Sequence, residues 1–179
     1  MRFSRNSWMV VLLLSIFYFS CVQSGGDAAG NPLASLPAGW HVPLQKELAR
    51  GRCGIRPDTP LEVGDDFNGD GKQDRAVIAV NTLRNRSGLL VNMSFASASR
   101  WEIIEESEGT CATFGLDVYK PGAYTGYFCA ATTRNCKSTK KETIKTVLPG
   151  LSFFDFGSAG VIFFWNTEAR AFDRLWEGD

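Results

Sequence analysis

The chain reads as a mainly β protein, an antiparallel β-meander or sandwich, or a partial propeller-like sheet, with one short N-terminal helix. Three observations predict this. Apolar residues recur with a period of two along 75–81, 88–95 and 101–106. Clusters of turn formers at 83–87 and 96–100 separate those runs. Helical character is confined to one short stretch, 44–50, where Pro43 suits a first helical turn and Gly51 a stop.

In chain order, residues 1–20 have the pattern of an export signal. Arg2 and Arg5 make a positive start, and 8–19 is uncharged and too short for a comfortable permanent span. Tyr18-Phe19-Ser20-Cys21 carries the serine and cysteine of a bacterial lipobox, with a bulky tyrosine where a small aliphatic residue is usual. Lipidation of Cys21 is therefore expected, with cleavage after Ser24 as the competing route. Residues 21–39 are rich in Gly, Ala, Ser and Pro and suit a flexible tether, so a single domain is expected over 40–179. Without its signal the chain keeps about 158 residues, enough for one sizeable core. The short helix is expected to bury Leu44 and Leu48, and 53–60, with Pro57 and Pro60, to be irregular.

The most informative run is Asp66-Phe67-Asn68-Gly69-Asp70-Gly71-Lys72-Gln73-Asp74. Side-chain oxygens of Asp66, Asn68 and Asp70 fall at alternate positions. Gly71 permits the sharp reversal that returns Asp74 to the same centre, and the Lys72 carbonyl falls at position seven. This is the ligand rule of a calcium loop, whose cation takes six to eight oxygens. Position twelve, where an EF-hand has its bidentate glutamate, is Val77, inside a β-branched run, so the loop leads into a strand rather than a helix. The competing reading is an Asx-rich turn without a metal. Over 64–74 the segment resembles the calcium loops of FG-GAP and VCBS-type repeats, with one extra aspartate, and the resemblance implies a loop that opens a β-hairpin. The sequence holds no second copy, so a complete propeller is not expected.

Further strands are expected at 114–119, 124–130 and 142–148, with Lys120-Pro121-Gly122-Ala123 as a turn of type II order. Residues 151–176 are the most apolar part. Their near-continuous run suggests a strand buried on both faces, followed by a hairpin turn at 166–169 and a second arm at 170–176. Seven or eight strands result.

Setting Cys21 aside, Cys53, Cys111, Cys129 and Cys136 form an even set that suits disulfides in an oxidising compartment. Cys129 with Cys136 and Cys53 with Cys111 is the expected pairing of three possible ones. Zinc is disfavoured by the absence of a C-x-x-C and by a single histidine, His41.

Formal charge is zero, and without Arg2 and Arg5 the basic residues fall from 19 to 17 against 19 acidic ones. That balance gives no electrostatic footprint for nucleic acid. Arg134, Lys137, Lys140, Lys141 and Lys145 form the one basic cluster and read as a solvated hairpin end. Enzyme chemistry finds few parts, because no nucleophile motif accompanies His41. Glu102, Glu105, Glu106 and Glu108 read as solvated charges rather than the paired carboxyls of a glycoside hydrolase. Tyr119, Tyr124 and Tyr127 bracket the 120–123 turn and are candidate partner-binding residues.

The layout of lipobox-like signal, tether, single calcium loop and small disulfide-tied β domain is similar to that of periplasmic lysozyme-inhibitor and immunity lipoproteins. That likeness implies a lipid-anchored periplasmic protein that is no enzyme and plugs a peptidoglycan hydrolase through a loop, here 122–127. The other expectations, in order, are a calcium-stabilised structural or glycan-binding envelope lipoprotein and a secreted glycoside hydrolase.

Overall fold

Residues 74–81 are apolar on both sides over 76–80 because both faces are covered there. In the computed structural model, which describes residues 36–48, 60–95, 99–109, 114–131, 139–155 and 160–178, this segment is the second of four strands in one antiparallel sheet. The strands are β1 (Glu62–Asp65), β2 (Asp74–Asn81), β3 (Arg86–Ser94) and β4 (Ser99–Glu108), in that spatial order. The chain divides into units Met1–Asn31 and Pro32–Asp179, and every described residue belongs to the second. The signal, Cys21, most of the tether, Cys53, Cys111, Cys136, Arg134 and Lys137 lie outside the described residues.

On one face of β2 and β3, Ala76, Ile78, Leu89, Val91 and Met93 enter the main core. On the other, Val77, Ala79 and Leu90 are capped by Trp40, with Leu36 and Trp101 against them. The N-terminal segment is held there by a bridge in which His41 N–H donates to the Val80 carbonyl at 3.0 Å and Val80 N–H to His41 at 2.8 Å. Gly88 on β3 lets the β4 backbone approach closely, since a Cβ there would sit 2.4 Å from the Glu105 carbonyl oxygen, and it leaves room for the Trp40 ring at 3.4 Å. The helix α1 is the single turn Gln45–Leu48, and Leu44, just before it, is exposed rather than buried, while the burial of Leu48 lies outside what the structure describes.

The second sheet has six strands: β5 (Phe114–Tyr119), β6 (Gly122–Cys129), β7 (Lys141–Thr146), β8 (Gly150–Asp155), β9 (Gly160–Asn166) and β10 (Ala171–Glu177). Their order is β5-β8-β9-β10-β6-β7, antiparallel throughout. Its inner face contributes Leu116, Leu151, Phe153, Val161, Phe163 and Phe172 to the core shared with the first sheet. The fold is thus a two-layer antiparallel β structure of sandwich type. As its sequence implies, β9 is buried on both faces, with Ile162 and Phe164 in a separate outer cluster.

That outer cluster exists because the sheet rolls. β5 is an edge strand and β6 lies four steps away, yet only Lys120 and Pro121 separate them in the chain. Four flat steps would place them ~19 Å apart, while three Cα–Cα links reach only ~11 Å. The roll brings the Tyr119 ring edge-on to Tyr124, with centroids 5.2 Å apart, and Tyr124 to 5.5 Å from Phe164. It does not close into a barrel, since its two edge strands, β5 and β7, do not pair.

Glu105 departs from the solvated role its sequence suggests. Register passes from Leu89↔Glu105 to Leu90↔Ile103, so Ile104 is an extra residue, a β-bulge in β4. The bulge turns its neighbourhood toward the other sheet. Arg174 of β10 donates to the Ile104 carbonyl at 3.2 Å, approaches Glu105 to 3.4 Å and lies over the Phe163 ring. Burial pushes the Glu105 carboxyl above its usual range, and Arg174 pulls the other way. A raised folded value means that the native state takes up a proton more readily than the unfolded chain. The stabilising contribution is complete below about pH 4.5 and is lost as pH rises through the folded value. Glu105→Gln is therefore expected to flatten the fall of the urea midpoint as pH rises above about 4.5; a slope identical to wild type would rule out this group as its source.

Candidate functional site

The loop 66–73 joins β1 to β2, whose register ends on the pair Asp65↔Asp74. The motif therefore does lead into a strand. Both of its glycines have left-handed backbone, with φ of 77° at Gly69 and 81° at Gly71. Gly71 has open space where a Cβ would stand, so conformation is the constraint there; a Cβ on Gly69 would come within 2.9 Å of Leu148. Phe67, one residue into the loop, is fully buried in the shared core. The loop is thus anchored by its own aromatic side chain.

The carboxylates are held by backbone amides. Asp66 Oδ1 accepts N–H bonds from Gly69 at 2.8 Å and Asp70 at 3.1 Å, and its Oδ2 accepts from Gly71 at 2.8 Å. Asn68 Oδ1 accepts from Asp70 N–H at 2.9 Å, and Asp70 Oδ1 from Lys72 N–H at 2.9 Å. A carboxylate has about four lone-pair positions and an amide oxygen two. Acceptor capacity thus remains on Asp66 Oδ2, Asn68 Oδ1 and Asp70, with the Lys72 carbonyl in the same turn. The Lys72 ammonium turns away to the Phe95 carbonyl at 3.1 Å.

Asp74 is placed differently. It is wholly buried and accepts N–H bonds from Ser94 at 2.7 Å, Phe67 at 3.0 Å and Asn68 at 3.3 Å, with a long 3.5 Å contact from the Asn68 side-chain amide. The Asn68 amide also donates to the Ser94 carbonyl at 3.1 Å, and the Ser94 hydroxyl to Gln73 at 3.1 Å. Burial pushes the Asp74 carboxyl upward while these N–H groups pull the other way. Accordingly, among the described residues no three or more carboxylate, histidine or cysteine side chains gather in a metal-ligand group. The donor types that the run 66–72 offers, two carboxylates, an amide oxygen and a backbone carbonyl, are the hard oxygens that calcium takes.

The three candidate tyrosines do not form a free edge. All are half-buried. Tyr119 and Tyr124 pack on the outer cluster with Phe128 and Ile144. Tyr119 donates to Glu177 at 3.2 Å, Tyr124 donates to the Lys120 carbonyl, and the Lys141 ammonium lies 5.5 Å from the Tyr127 ring centroid. What the 120–123 turn does expose is Lys120, Pro121 and Ala123. The strands flanking that turn are not partners, because β5 pairs with β8 and β6 with β10 and β7.

His41 Nε2 lies 3.2 Å from both Glu47 oxygens, and Leu44 N–H caps the same carboxylate at 2.7 Å, which with His41 holds it below its usual range against burial. Cys129 is buried and disulfide-bonded, with its partner outside the described residues. Lys140, Lys141 and Lys145 are exposed, in keeping with a solvated strand end. No described helix is long and apolar enough to cross a membrane. Comparison with protein-family models, with curated proteins and with solved structures returned no match.

Proposed function

We propose that this chain is an exported, lipid-anchored calcium-binding domain that recognises a protein in the bacterial envelope. The observation that carries the calcium reading is the Asp66 loop, whose amides fold it into a turn while Asp66, Asn68 and Asp70 keep acceptor capacity at its mouth. Two carboxylates and two neutral oxygens, completed by water, match the weak sites of extracellular modules, with dissociation constants of roughly 0.1–1 mM. Calcium there is a brace, because the loop it closes delivers Phe67 to the core. The signal-like segment 1–20 and Cys21 support export and anchoring.

One observation supports partner recognition by insertion. The Tyr124 hydroxyl donates to Lys120 and the Tyr119 ring abuts Tyr124, so the 120–123 turn is pinned from beneath and little ordering entropy remains to be lost on binding. The tyrosines hold this tip, and Pro121 and Ala123 present it. A lysozyme-type muramidase is the partner class. The mature domain is expected to inhibit such an enzyme, and Ala123→Arg to weaken inhibition at least tenfold with an unchanged melting temperature. Equal inhibition by the variant, or capture of peptidoglycan in place of the hydrolase, would contradict the plug.

A further inference from the structure

We infer that Asp74 is the latch of the loop and not one of its calcium ligands: it stays on its amide donors while Asp66, Asn68, Asp70 and the Lys72 carbonyl face the cation. The inference rests on the calcium reading above and assigns separate roles within one motif.

Spacing alone would make Asp74 the last ligand, since it falls at position nine of the run. Its surroundings say otherwise. The side chain is inside the protein, and its donors come from three places: Phe67 and Asn68 at the start of the loop, and Ser94 at the end of β3. It therefore ties the first residue of β2 both to the last residue of β3 and to the residue that fills the core. To turn outward, Asp74 would have to abandon the Phe67 and Ser94 N–H groups in a buried setting, where an unpaired donor is costly. At an exposed mouth water can fill the coordination position that Asp74 leaves, which gives a weaker site of lower ligand charge. Asn68 joins the two halves, its carbonyl oxygen on the Asp70 amide and its NH2 on Ser94.

The test is a calcium titration of the 15N-labelled mature domain, followed at single amides, together with melting curves of two variants. In wild type, calcium is expected to shift the Asp70, Gly71 and Lys72 amides while Phe67 and Ser94 keep their hydrogen-exchange protection. Asp74→Asn is expected to lower the melting temperature without calcium and to keep the calcium-induced rise. Asp70→Asn is expected to melt as wild type without calcium and to lose the rise. Loss of protection at Phe67 and Ser94 on adding calcium would overturn the latch, as would an Asp74→Asn protein that melts normally but no longer responds. If Asp74→Asn does not fold, the wild-type exchange data decide alone. A wild type in which calcium moves neither amides nor melting would instead end the calcium reading.

Discussion

Phe67→Ala is expected to destabilise the domain by about 3–5 kcal/mol, the cost of truncating a fully buried phenylalanine in a packed core. The position makes this more than a core mutation. Phe67 belongs to the loop 66–73 yet packs with residues of both sheets, so its removal loosens the loop from the layer that holds it. If the loop binds calcium as proposed, the variant should lose apparent calcium affinity as well as stability, since the same conformation serves both. Denaturant melts give the first quantity and a calcium titration the second. A loss below about 1 kcal/mol would show that the ring's site collapses without cost, and that the loop is not seated through it.

Tyr124→Ala is the second large effect, at about 2 kcal/mol, below the full aromatic cost because the side chain is only half-buried. Tyr124 stands at the centre of a chain of rings from Tyr119 to Phe164, and its hydroxyl pins the turn. Tyr124→Phe, which keeps the ring, should recover most of the stability and leave the turn less rigid. Urea midpoints of the two variants separate ring packing from the hydroxyl bond. A freely exposed anchor would give the opposite pattern, no stability loss with alanine, and that is the outcome expected of Ala123→Arg.

Local pattern made much of the fold legible. β2, β3 and β4 alternate or run apolar between clear turn formers, and the 166–169 turn divides β9 from β10 within a residue of where the sequence places it. β1 was missed because Glu-Val-Gly-Asp has little strand character by itself; it is a strand because β2 is beside it. Division of the apolar stretch into β8 and β9 was missed for a related reason. Apolar residues on both faces leave no period to mark where a buried strand ends, and the only local sign was the cluster Asp155, Gly157, Ser158 and Gly160 where β8 ends and β9 begins. Among the described residues ten strands therefore replace seven or eight. The roll of the second sheet was invisible, because partners far apart in sequence leave no local trace.

The site was legible as spacing and not as direction. Alternate oxygens and the left-handed glycines of the turn can be read from the run 66–74, and both glycines adopt that backbone. That Asp74 faces inward depends on the Ser94 amide, 20 residues away, and could not be read from the loop. In the same way, Glu105 looked solvated because Arg174, its partner from the other sheet, is 69 positions further along.

Whether calcium braces this loop is decided by thermal unfolding of the mature domain in chelator, in magnesium and in about 10 mM calcium. For a dissociation constant of 0.1–1 mM, linkage gives a gain of about 1.4–2.7 kcal/mol, or a rise of about 3–10 °C for a domain of this size. Calcium should produce that rise and magnesium, which holds its own water more firmly, much less. Superimposable melting curves in chelator and in calcium would contradict the account.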